Sequence, residues 1–462
     1  MENFWDFKVW GTFSLVAALL ISLLLANMLK RRIGFLKKSL IPTSVLGGLI
    51  LFGLNIVYKS ITNVSIWNTE FFGGNGNSVL EIITYHTLAL GFIAVSFKGK
   101  QHKLTKERSV EIFNTGVTTV STYLLQAVLG LGITIVASLI IQDFFAAAGV
   151  LLPFGYGQGT GQALNYGSIY EADYGFIGGK SFGLTIAALG FLSASIGGVI
   201  HLNIIKRKNR FPSKNQTEQV LTENSIQDKD EIPMNGSMDK LTVQIALIAL
   251  AYFLSYMLML GIGALLPGAR SIVYGFNFLI GVLMATLVKL VLNLLNKKGI
   301  MKFKYTNDFL MDRICNFFFD IMVVAGIAAI NLDVVASYWV ILLILGVVGL
   351  ISTYFYNYFV ARTLFKNYAE EQFLAMYGML TGTASTGIIL LREVDGDFVT
   401  PTAENLVYQN FPAMVFGFPL MLLATLAPKQ PIFTLIILVA FFVVMNVILF
   451  RSFIFKKKSK QK

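Results

Sequence analysis

PFGYGQGTGQ, Pro153 to Gln162, is the stretch on which the reading of the whole chain turns. Strongly apolar residues flank it, yet it holds four glycines and two glutamines. In a helix interior each Gly costs about 1 kcal/mol relative to Ala and Pro about 3, so a helix entering this run breaks within it. At membrane depth a broken backbone is tolerated only inside protein or beside a watery cavity, because lipid offers its N–H and C=O groups no partner. A second run of the same kind, YGMLTGTASTG, extends from Tyr377 to Gly387. Gly159 and Thr160 of the first correspond to Gly382 and Thr383 of the second. Paired breaks in the two halves of an apolar chain point to the binding site of a secondary transporter.

The chain has 462 residues, of which 55% are hydrophobic and 13% charged. Soluble domains carry about 25% charged residues, so this composition is that of a polytopic membrane protein. The net charge of +12 lies in short basic clusters between apolar runs. Charge placed that way reads as topology, and no nucleic-acid partner is expected. The single cysteine, Cys315, rules out an intrachain disulfide, and no Cys/His cluster suggests zinc. An enzyme would need a nucleophile, a metal cluster or paired acids in the spans, and with three His and one Cys in all no such cluster is found. The expectation is a protein that is not an enzyme, with no cofactor apart from a coupling ion. The start, MENFWDFKVW, lacks a cationic n-region and a small-residue cleavage site, so the first apolar run is expected to be a membrane span.

A hydrocarbon core about 30 Å thick needs roughly 20 apolar residues per helix. That ruler predicts spans at 9–29, 40–58, 79–97, 115–142 and 178–204, then at 241–266, 271–292, 314–332, 336–360, 404–427 and 431–450. The expected fold is all-α, with two inverted repeats of five transmembrane helices plus a re-entrant hairpin each, and one extra C-terminal helix. The first repeat takes residues 1–205, with its hairpin at 144–174. A polar linker follows at 206–240, and the second repeat takes 241–428, with its hairpin at 372–394. Residues 429–462 supply the extra span and a basic tail.

Charge sets the orientation. If each broken segment enters and leaves the membrane on one side, only Lys8, Lys59, Lys180, Arg270 and Lys429 fall opposite the other basic residues, with Lys289 inside a span. The positive-inside rule makes the crowded side cytoplasmic, with the N-terminus outside and the C-terminus inside. The first hairpin then dips in from outside and the second from the cytoplasm, so that their tips approach each other near the midplane.

The segment GYGQGTGQALNYGSIYEADYGF, with GLTIAALGFLSASIGGVIHLNIIKR after it, resembles the first hairpin and next helix of the bacterial sodium/glutamate symporter family. NYAEEQFLAMYGMLTGTASTGIILLREV resembles that family's second hairpin. The family is similar in fold to the 2-hydroxycarboxylate symporters. The resemblance implies a multi-pass protein of the bacterial cytoplasmic membrane that imports glutamate or a close dicarboxylate with sodium, as a homodimer. Gln158 stands where the family usually has His or another polar residue, and Ser385 where proline is expected. These departures keep open a sodium-coupled carrier of another organic anion, of the 2-hydroxycarboxylate type. A channel and a membrane-embedded enzyme are the more distant alternatives.

The residue types suit both ligands. Sodium prefers oxygen, which unwound carbonyls and hydroxyls supply without formal charge. Gly157, Gly159, Gly161 and Gly382 permit exposed carbonyls, and Thr160, Thr383, Ser385 and Thr386 add hydroxyls, with sodium expected near Thr160, Thr383 and Ser385. Thr381 and Ala384 complete the second tip. A carboxylate needs the converse, which the free N–H groups opening each hairpin's second arm provide, near Gln162 and near Thr386 to Ile388. Gln158 and Gln162 add amide donors. Asp320, an acid within a predicted span, is a further functional residue by default.

Overall fold

Polar caps, glycines and prolines cut the apolar sequence into helices. The computed structural model describes residues 3–98, 105–207, 231, 238–267, 270–396 and 399–454. Most of the expected linker at 206–240 and the tail from residue 455 lie outside the described residues. The principal elements are α1 (Phe7–Arg32), α2 (Thr43–Thr62), α3 (Gly76–Phe97), α4 (Lys106–Ile140), α5 (Leu151–Tyr174), α6 (Gly179–Arg207), α7 (Lys240–Leu265) and α8 (Asn277–Lys297). They continue as α9 (Asp308–Ala328), α10 (Leu332–Leu364), α11 (Ala369–Thr381), α12 (Ala384–Arg392), α13 (Thr402–Tyr408), α14 (Asn410–Leu426) and α15 (Pro431–Leu449). Apart from an isolated bridge between Glu231 and Lys304, the described residues are helices and their connections.

Among the described residues, 9 helices are long and apolar enough to cross a membrane, or up to 10 if a bent pair counts as one span. That pair, Thr402–Tyr408 with Pro412–Leu426, is turned by 50° and covers the span expected at 404–427. Pro412 explains the bend, since its ring clashes with the preceding turn and it has no N–H to donate. The expected span at 314–332 is displaced. Asn307 accepts a hydrogen bond from the Leu310 N–H and starts α9 early, and Asn331 caps the next helix by accepting from the Asp333 N–H. The resulting α9 has 21 residues and carries Asp308, Asp312, Arg313 and Asp320, and for that charge it is not among the 9 helices counted by length and apolar composition.

Packing divides the chain into two compact units, each drawing on both halves of the sequence. One comprises residues 1–24, 47–102 and 218–329, and therefore α2, α3, α7, α8 and α9. Its core joins Ile93, Ala94 and Phe97 of α3 to Ile248 and Ala251 of α7, Ala285 of α8 and Ile314 and Cys315 of α9. Gly91 admits the Phe319 ring against α3, where a Cβ would stand 2.5 Å from the ring. Asp320 belongs to this unit and is exposed on α9.

The other unit comprises residues 25–46, 103–217 and 330–462. It contains both broken segments, together with α4, α6, α10 and α13 to α15. A row of buried polar residues on α4 holds it together. Thr115 accepts from Gln372 of α11 at 3.2 Å, Thr119 donates to Gln409 at 2.9 Å, and Thr122 meets Asn357 of α10. Such bonds between membrane helices average about 0.6 kcal/mol each, modest in stability but exacting in register.

Candidate functional site

Both broken segments turn back on themselves at the Gly-Thr pairs. Within α5 the backbone leaves helical geometry at Gly159, with φ 80° and ψ −171°, a region open in practice only to glycine. The rings of Phe154 and Tyr166 stack at 3.8 Å across that point. In an unbroken helix, residues twelve apart would be about 18 Å apart along the axis, so the arms lie side by side. In the second segment α11 ends at Thr381, Gly382 and Thr383 are non-helical, and α12 begins at Ala384. A Cβ on Gly378 would stand 2.8 Å from Gly387, which places α12 directly against α11.

The hairpins converge on α6. Tyr156, in the first arm of α5, hydrogen-bonds the Ser193 hydroxyl at 2.8 Å and donates to the Gly346 carbonyl of α10 at 2.6 Å. Tyr377 of α11 donates to the carbonyl of the same Ser193 at 2.8 Å. Three residues earlier on α6, a Cβ at Gly190 would stand 2.5 Å from the Thr381 carbonyl oxygen and 3.1 Å from the Tyr156 ring. Only glycine lets the ends of both first arms come so close to α6. On the opposite flank of the first hairpin, Tyr166, Tyr170 and Tyr174, spaced one turn apart, donate to the Met421, Ala424 and Thr425 carbonyls of α14 at 3.0, 2.7 and 3.0 Å.

The sequence-predicted residues fall into two groups. In the first hairpin, Gly157 closes the first arm beneath the Tyr123 ring and Gln158 is partly exposed. Thr160, Gly161 and Gln162 are buried at the start of the second arm. Neither amide atom of Gln162 has a hydrogen-bond partner, although the residue is 1% exposed. In the second hairpin, Thr381 is buried and donates to the Tyr377 carbonyl at 2.6 Å, and Thr386 is buried with its hydroxyl 3.4 Å from that of Thr383. Ala384 and Ser385 are exposed, so this tip opens to its surroundings while the first is enclosed.

Sequence reasoning missed the side chains of α4 that reach both tips. Tyr123 donates to the Gly157 carbonyl at 3.0 Å, and Gln126, one turn on, donates to the Leu380 carbonyl at 3.0 Å and to Thr353 of α10 at 2.8 Å. Each satisfies a carbonyl at the end of a first arm, where the break leaves no intrahelical donor. The signal was present in TTVSTYLLQ, residues 118–126, a hydroxyl- and amide-rich face within an apolar span.

Residues 8–398 match the family model described as sodium/glutamate symporter. No curated protein matches the chain.

Proposed function

The chain belongs to the sodium/glutamate symporter family, and from that premise we propose that it imports glutamate or a close dicarboxylate across the bacterial cytoplasmic membrane, driven by sodium. The observation that carries the reading is the pair of helical hairpins broken at Gly159 and Gly382, with the unpartnered amide of Gln162 buried at the first break. An amide buried without partners costs about 1–3 kcal/mol per unsatisfied group, a cost that a carboxylate bound at this helix start would offset for the Gln162 NH2 group. The N–H groups opening the second arm of α5, with Thr160, Gly161 and Gln162, bind the anion. The carbonyls ending the first arms, with the hydroxyls of Thr160, Thr383 and Ser385, supply oxygen to sodium. Exposure of Ala384 and Ser385 gives the ligands their way in.

The same helix, hairpin, helix order in both halves supports an inverted repeat, with α4, α5 and α6 answered by α10, the α11–α12 hairpin and α13–α14. The hairpins are re-entrant, the first from outside and the second from the cytoplasm, which places the N-terminus outside and the C-terminus inside. The unit holding both hairpins moves the substrate, and a homodimer forms through the other unit. Uptake of labelled glutamate, other amino acids and organic acids into proteoliposomes tests the activity. Accumulation of glutamate under an inward sodium gradient, and not under choline, is expected. Sodium-independent uptake, or none across the panel, would refute it.

A further inference from the structure

Gln126 does more at the second tip than close a carbonyl. Its side chain is fully buried, and one amide atom lies 3.0 Å from the Leu380 carbonyl oxygen. A carbonyl only accepts, so that atom must be the NH2 group, and the orientation of the amide is fixed. The other atom, Oε1, is therefore turned away from Leu380, and it has no hydrogen-bond partner. An amide oxygen can be satisfied only by a donor or a cation. Around it the electrostatics favour the cation, because α11 ends at Thr381 and the negative end of its dipole, with its last carbonyls lacking intrahelical donors, is concentrated here. No acidic side chain occurs in the tip sequence LTGTASTG, residues 380–387, so neutral oxygens must do the coordinating.

We propose that Gln126 Oε1 is a ligand of the coupling sodium ion, at a site formed by α4 and the end of α11. This rests on the symport reading and adds to it a side chain outside either hairpin. Because Nε2 of the same amide holds Leu380 and Thr353, sodium bound at Oε1 fixes the second tip relative to α4 and α10.

The test is thermal unfolding of the purified protein, without substrate, titrated with NaCl at constant ionic strength against choline chloride. Wild type is expected to be stabilised by sodium, and Gln126→Met, which keeps length and apolar volume, should raise the sodium half-saturation by at least about tenfold. The variant should also change the preference between lithium and sodium. The unfolding midpoint in choline reports any purely structural cost separately. An unchanged half-saturation and ion preference in Gln126→Met would show that Oε1 is met by water, overturning the ligand while leaving symport intact. A wild type indifferent to sodium would overturn the symport reading itself. Should Gln126→Met fail to fold, Gln126→Glu carries the same test. It places an ionisable oxygen at the site, so sodium affinity should follow the protonation of the new carboxyl, and affinity independent of pH would overturn the proposal.

Discussion

Gly159 and Gly382 occupy corresponding places for different physical reasons, and substitution should separate them. Gly159 needs its backbone conformation, with φ 80° and ψ −171°, which costs any other residue about 1–3 kcal/mol. Gly382 has φ −146° and needs space, since a Cβ there would stand 2.8 Å from the Thr386 hydroxyl and 3.1 Å from the Phe191 ring. Gly159→Ala is therefore expected to lower both uptake and thermal stability. Gly382→Ala should weaken uptake more than stability, because the Thr386 hydroxyl can rotate. Valine at either position should abolish uptake with the protein still inserted, and uptake within about twofold of wild type in both valine variants would return these glycines to a packing role. Loss of one bond to the first tip, in Tyr123→Phe, should cost about 1 kcal/mol of stability, measured by the unfolding midpoint. The Gly-Thr pairs were legible in sequence because backbone breaks leave a compositional mark. Tyr123 and Gln126 stand in a polar run within α4, but their role was not legible, because α4 is continuous and their partners Gly157, Leu380 and Thr353 are brought near only by folding.

Among the elements, apolar length predicted most helices closely, and caps decided where it failed. Residues 314–332 read as a span by hydropathy, yet Asn307 and Asn331 set the boundaries of α9 and α10 by capping their first turns. Likewise 404–427 read as one helix, and Pro412 bends it. The pairing of the tyrosines 166, 170 and 174 with α14 was beyond reach, since spacing shows a face and not its partner. The orientation of the hairpins is open to a direct test. The native Cys315 is buried, so a single thiol introduced at an exposed connection reports without background. Ile177→Cys, at a site 83% exposed beyond the first hairpin, should react with an impermeant reagent applied from outside. Asn367→Cys, exposed just before α11, should react only after permeabilisation. Reversed accessibility would refute the opposed arrangement and the outward N-terminus with it.

For the whole molecule, the decisive quantity is the coupling between ion and substrate. Neither GYGQGTGQ nor GTASTG contains an acid, so if both ligands bind at these tips, as proposed, the anion would supply part of the sodium ion's counter-charge, and sodium part of the anion's. Ligands that neutralise each other in one low-dielectric site bind with strong mutual dependence. Linkage then requires that sodium raise substrate affinity by the same factor as substrate raises sodium affinity. Binding titrations of glutamate at several sodium concentrations, and of sodium at several glutamate concentrations, should give equal factors of at least about tenfold, or about 1.4 kcal/mol. Protons should replace sodium poorly, because neutral carbonyls and hydroxyls offer them no basic site. If more sodium charge than substrate charge crosses per cycle, transport should also respond to membrane potential, by about 2.3 kcal/mol per net charge per 100 mV. Glutamate affinity identical in choline and in sodium would defeat coupled transport in this chain, whatever its hairpins.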